Sequence, residues 1–214
     1  MNSGVKVHTY LDDAHEPSQR TRTRGPKPQD VYPVPLPLLN CLSEIAPKIL
    51  KSGAWWALGG DLAESLMGVQ VRPTQIEILT DGVGLAKISG ALSSYGATTV
   101  LVTERKLDRE AEPDLTKYPV LERSSLSEFT YMGVRVRIHG DYQLKVGEWE
   151  WGDPLFFETE SVNVLGLDVP LFPLSLKSEI YITLGWLDRA TLISEAFRRA
   201  QTQDHEPPQS PQND

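Results

Sequence analysis

An α+β fold, built as a mixed β-sheet flanked by helices and finished by a C-terminal helical hairpin, is what the sequence predicts from three observations. Between residues 38 and 171 the apolar positions switch repeatedly between the spacing of strands and that of helices. Short apolar runs meet closely around Gly133 and again around Gly166, as hairpins require. The last apolar stretch, residues 176–197, keeps helical spacing alone and breaks once, at Gly185.

Taken in order, Leu38, Leu39, Leu42, Ile45, Ile49 and Leu50 recur on one helical face. Gly53 supplies the stop, and Pro47 is expected to kink this helix because it lacks an amide hydrogen. Residues 54–58 carry the Trp55-Trp56 pair and close on Gly59-Gly60, which suits a buried first strand whose tryptophans serve packing. Leu62 and Leu66 mark a short helix ending near Gly68, and residues 74–80 read as the second strand. Leu85, Ile88, Leu92 and Tyr95 form the next helical stripe, ended by Gly96, before a strand at residues 98–103. The charged interval 104–123, with Pro113 and Pro119, is expected to be a surface excursion with little regular structure. Residues 128–132 and 134–139 form a hairpin that turns Val134, Val136 and Ile138 inward and leaves Arg135, Arg137 and His139 on the opposite face. A second, smaller hairpin joins residues 162–165 to 167–171, its length limited by Pro170 and Pro173. Leu176, Ile180 and Leu184 describe one helix; Ala190, Ile193 and Phe197 describe another after the Gly185-Trp186-Leu187-Asp188 turn.

Length and composition bound the rest. A chain of 214 residues, 40% hydrophobic, supports one sizeable core. We divide it into an N-terminal arm at 1–34 and a tail at 202–214, both expected to be disordered, around a domain at 35–201. No apolar run approaches the ~20 residues needed to cross a bilayer, and no secretory pattern opens the chain, so a cytoplasmic location is expected. Cys41 has no Cys or His companion at metal-ligand spacing and reads as a buried apolar residue. A formal net charge of −8 argues against a chain-wide nucleic-acid footprint. Arg20, Arg22, Arg24 and Lys27 nevertheless cluster in the arm, either as a solvated tail or as a flexible contact for phosphate.

The chemistry concentrates in Gly59-Gly60 and the segment Arg72-Pro73-Thr74-Gln75-Ile76-Glu77. With its neighbouring elements this stretch resembles the nucleotidyltransferase superfamily of DNA polymerase β-like fold, and within it the small prokaryotic nucleotidyltransferase-like proteins, including the toxin-associated group. The order of elements matches over about residues 38–200, while the specific motif occupies residues 59–77. The resemblance implies nucleotide binding by Gly59, Gly60, Asp61, Arg72, Thr74 and Gln75, with phosphates approaching the glycine turn. Asp61 departs from this pattern: it can cap the helix, yet it sets a negative charge where phosphate would sit.

Two acids separated by one residue lie side by side on a strand and together hold a divalent ion. Family members carry such a pair here, and this chain offers Gln75 and Glu77. The family's third acid comes from a neighbouring strand, which the resemblance places at Gly133–His139, with Arg137 or Arg135 at the acidic position. A cation there repels magnesium, so Glu77 and Arg137 are expected to pair in its place. The alternative is that the arginines decorate a solvated face.

Beyond the motif, His139 and Asp141 flank Gly140 as a base and acid or simply as turn residues. The alternating Glu148-Trp149-Glu150-Trp151 reads as edge-strand packing, a ligand wall or a partner surface. The leading expectation is a catalytically degenerate nucleotidyltransferase-like protein that binds a nucleotide, an RNA or a protein partner and needs no cofactor. The alternative is an active magnesium-dependent enzyme moving a nucleoside monophosphate to a hydroxyl, with Glu77 as catalytic metal ligand and Asp61, Asp81 or Asp141 replacing lost acids, or Glu148 and Glu150 supplying carboxylates from further away. A third reading is an antitoxin-like or complex subunit.

Overall fold

The structure is a computed structural model that describes residues 34–107 and 119–203. Its seven strands form one mixed sheet in the order β3-β4-β5-β2-β1-β7-β6. Helix α1 (Leu36–Lys51) begins on prolines, whose missing amide is no loss at a helix start, and continues through Pro47 to Lys51. Strand β1 (Trp56–Gly59) runs directly into α2 (Gly60–Leu66). Next come β2 (Gln75–Thr80) and α3 (Gly82–Ala91), which Asp81 caps by accepting from the Gly84 amide. A single 3-10 turn, Ser93–Tyr95, then stops on left-handed Gly96.

Apolar residues at alternate positions of the central strands face α1 and α3. Ile76, Ile78, Val136 and Ile138 are all fully buried there against Ile45, Ile49 and Ile88, in the main core. Cys41 belongs to this core, and burial pushes its thiol up to about 11. Trp56 is buried as expected, while Trp55 sits on the opposite side against Phe156 and Phe157, with ring centres 4.9 and 5.2 Å away.

The charged interval contains more regular structure than its composition suggests. Strand β3 (Thr98–Lys106) extends three residues past the expected end, and β4 (Val120–Tyr131) begins well before residue 128. Pairing of β3 with β4, and of β4 with β5 (Val134–Val146), stabilises these charged segments, since ion pairs such as Arg105–Glu122 satisfy them across the β3–β4 ladder. Met132 and Gly133 both have positive φ, as the two-residue turn of a right-twisted hairpin requires, and Leu165-Gly166 repeats the device between β6 (Glu160–Val164) and β7 (Leu167–Leu171).

Helices α4 (Leu174–Thr183) and α5 (Leu187–Gln203) form the expected hairpin, packed on Val69 and Val71 through Tyr181 and Ile193. The first two residues of the expected C-terminal tail, 202 and 203, are thus helical. The basic cluster of the arm and the remainder of both terminal segments lie outside the described residues. Residues 147–159 form no strand: Trp149 is exposed, and Trp151 packs under the Arg123 guanidinium, 4.4 Å from its ring centre. The alternation of acids and tryptophans therefore reflects a loop rather than an edge strand: among the described residues no ladder pairs with residues 148–151, and the loop meets β5 beyond them, through the Gly152 and Leu155 amides on the Leu144 and Tyr142 carbonyls.

Candidate functional site

A cleft of about 250 Å³ lies on the sheet face away from α1 and α3, between the central strands and α4. Register builds its floor. Parallel pairing of β2 with β5 sets Gln75 beside Arg135, Glu77 beside Arg137 and Leu79 beside His139. Antiparallel pairing sets Gly59 opposite Glu77 and, across the β4–β5 ladder, Glu128 opposite Arg137. All of these positions are out of phase with the core residues, so they share the cleft side of the sheet.

Just past His139 the β4–β5 ladder shifts register by one residue, so that Asp141 and Tyr142 together oppose Ser124. Asp141 adopts a positive φ there and its carboxylate accepts from the Gly82 amide at 2.9 Å. This bulge changes which alternate residues face the cleft, from His139 to Tyr142 and Leu144, and so keeps the floor continuous. It also explains why His139 and Asp141 do not act together: they diverge, and His139 Nδ1 meets Ser124 Oγ at 2.9 Å instead. Burial, with the nearby charges of Arg137 and Arg105, pushes the His139 imidazole down to about 3, so it is neutral at physiological pH.

Glu77 is tightly constrained. Gln75 Nε2 donates to its Oε1 at 2.5 Å, and Arg137 Nη1 lies 3.9 Å from the same oxygen. Arg137 is buried and also faces Glu128, with Nε 3.2 Å from Oε2 but without hydrogen-bond alignment. From the other side Gly60 closes in. Its φ of +63° favours glycine, and a Cβ added there would lie 2.6 Å from Glu77 Oε2, so that carboxylate would have to move.

The turn is secured by a charged cluster on α2 and the terminal hairpin. Glu64 is fully buried; its carboxylate receives Lys177 Nζ at 2.6 Å, the Tyr181 hydroxyl at 2.6 Å and Arg189 Nη2 at 2.9 Å. Burial raises the Glu64 pKa, but the charges of Lys177 and Arg189 and the hydrogen bonds from Lys177 and Tyr181 outweigh it and hold the carboxyl below its ordinary range. Lys177 Nζ also donates to the Gly60 carbonyl at 3.0 Å. Asp61, expected as a helix cap, makes no capping bond and pairs with Arg189 instead. Its position in the first turn, rather than before it, takes its side chain away from the orphan amides.

Of the residues expected to meet a nucleotide, Gly59, Gly60, Asp61, Thr74 and Gln75 line the cleft together with Glu77. Arg72 is exposed and does not border it. Asp81 and Asp141 serve the amino end of α3, and Glu148 and Glu150 are exposed on the loop, so none of these lines the cleft with Glu77. Among the described residues no three His, Cys, Asp or Glu side chains converge as a metal site. A divalent ion at Glu77 would meet a carboxylate already hydrogen-bonded to an amide and faced by a guanidinium 3.9 Å away, and the donor set does not fit it.

Glu128 and Glu64 were not singled out from the sequence. Glu128 was within reach: a two-residue turn at Met132-Gly133 puts residue 128 opposite 137 by counting alone. Glu64 had a weaker signal, its place one helical turn after Asp61.

No protein-family model matches the chain, and no curated protein matches it. Among solved structures it is similar to TM1012 of Thermotoga maritima, provisionally named a nucleotidyltransferase, with a TM-score of 0.57 and 22% identity over 80% of this chain and 97% of that one. The antibiotic-resistance factor ANT(2'')-Ia is more distant, at TM-scores of 0.42 for its complex with adenylyl-2''-tobramycin and 0.41 in solution. Those two share 12% and 13% identity with this chain, over 77% of it in each case and over 88% and 84% of their own lengths. With its mixed seven-stranded sheet, its glycine turn and its terminal helices, the chain has a nucleotidyltransferase-like fold.

Proposed function

We propose that this protein binds a nucleotide-class ligand in the cleft and does not carry out the metal-dependent transfer for which such a cleft is built. The observation that carries the reading is the buried Arg137 guanidinium beside Glu77, where a third carboxylate would be needed. Two-metal or one-metal transfer depends on several carboxylates concentrating positive charge on the α-phosphate. Here the neighbouring strand supplies positive charge itself, and Gln75 contributes an amide donor in place of a carboxylate. Glu77 accordingly has a structural task, accepting from Gln75 and facing Arg137 across the β2–β5 seam.

The test is an assay for pyrophosphate release from each nucleoside triphosphate with magnesium, beside calorimetry with nucleosides and nucleotides. Binding without release of pyrophosphate is expected. Magnesium-dependent turnover that Glu77→Gln abolishes would overturn the proposal and restore an active transferase in which Asp61, the other carboxylate at the turn, takes part.

A further inference from the structure

The charge balance of the cleft, resting on the reading that it takes a nucleotide-class ligand, narrows what part of that ligand it holds. Its lining presents three carboxylates, Asp61, Glu77 and Glu122, against two cations, Arg105 and Lys177. Neither cation is available for an incoming anion. Arg105 is paired with Glu122, whose other oxygen accepts from the Tyr142 hydroxyl at 2.6 Å, and Lys177 is held by Glu64 and the Gly60 carbonyl. A triphosphate entering here would give up its hydration and meet charges that are already paired, Asp61 with Arg189, Glu122 with Arg105 and Glu77 with Arg137, so no free cation would offset that loss unless one accompanies it.

The remaining surface suits an uncharged ring. Leu79 and Leu144 on the sheet, Leu155 from the loop, and Phe172, Ile180 and Trp186 opposite supply apolar walls. A volume of about 250 Å³ falls just below the ~300–1,000 Å³ of typical small-molecule pockets, which favours a compact ligand over an extended one. At the floor, His139 borders the cleft with Nδ1 engaged by Ser124, leaving Nε2 as the ring atom for a ligand to meet. A neutral imidazole so oriented offers one directional hydrogen bond and no net charge.

We propose that the cleft recognises the nucleoside moiety, base and ribose, rather than the polyphosphate, and that His139 is the residue that discriminates between bases. A buried polar group built to pair with one base edge rejects a ligand that leaves it unpaired, which is the strongest form of selectivity such a pocket has. Ser124 acts as a positioning residue, setting the His139 tautomer through Nδ1.

Calorimetry on the full chain with the four common ribonucleosides and their triphosphates, without metal and with magnesium, tests both parts. One nucleoside should bind at least about tenfold more tightly than its own metal-free triphosphate, and His139→Phe should shrink discrimination among bases by about tenfold. If His139→Phe does not fold, His139→Gln keeps a hydrogen-bonding group and should change which base is preferred. Ser124→Ala should alter the imidazole nitrogen shifts that report the tautomer, whereas a merely structural serine would leave them in place. A metal-free triphosphate that binds as tightly as the nucleoside, or base discrimination untouched in both His139 variants, would overturn this inference alone. Failure of every nucleoside and nucleotide to bind would overturn the proposed function with it.

Discussion

Arg137 shows how one side chain redefines a site. Its guanidinium lies between Glu77 and Glu128, buried while both partners keep partial solvent contact. Breaking a fully buried ion pair costs about 3–5 kcal/mol, but solvent relieves part of that here, so Arg137→Ala should lower stability by about 1–3 kcal/mol in chemical denaturation. Glu64 represents the stronger case. With no solvent contact and two cations on it, Glu64→Gln should cost about 3 kcal/mol by leaving Lys177 and Arg189 without their shared counter-charge. The sign of its pH dependence follows from the lowered pKa. Unfolded chains bind the Glu64 proton more readily than the native state, so the stabilisation is complete above the ordinary value of 4.5 and is lost as pH falls through the lower native value. Denaturation curves of wild type and Glu64→Gln should therefore converge below about pH 4.5, and a difference that stays constant down to pH 3 would contradict the charge-based account.

At the scale of elements, the β1–α2 turn and the β4–β5 bulge shape the cleft. Gly60 combines a left-handed backbone with close approach to Glu77, whereas Gly96, with φ +90°, has nothing within 4 Å of an added Cβ. Alanine at either position incurs the left-handed penalty of about 1–2 kcal/mol; only at Gly60 must a neighbouring carboxylate also move. Gly60→Ala should thus reduce the melting temperature more than Gly96→Ala, and equal losses would show that Glu77 yields without cost. The turn itself was legible in the sequence because paired glycines after an apolar run have few other uses. The bulge was not. A one-residue register shift leaves no mark in hydrophobic periodicity when the flanking residues, Gly140, Asp141 and Tyr142, are already of mixed polarity. The same limit hid the length of β3 and β4, whose charged residues are stabilised by partners across the ladder rather than by burial of apolar faces.

For the molecule as a whole, removal of residues 1–30 should leave the thermal midpoint within about 2 °C, because that segment has no periodic apolar face to add to a core. A larger drop in a melting curve would show that the arm packs on the domain. The sequence by itself determined the order of strands and helices, the two hairpins, the glycine turn and the face on which Glu77 and Arg137 lie, since alternation and turn chemistry are local properties of the chain. Tertiary structure alone decided what those faces meet. Glu64 finds Tyr181 across 117 positions of sequence and Arg189 across 125, and His139 finds Ser124 rather than Asp141 two residues away. Such partners are selected by the packing of the terminal hairpin against the sheet and by the register shift in β5, because a buried charge or imidazole takes the nearest group that compensates it in space, and spacing along the chain does not encode that distance.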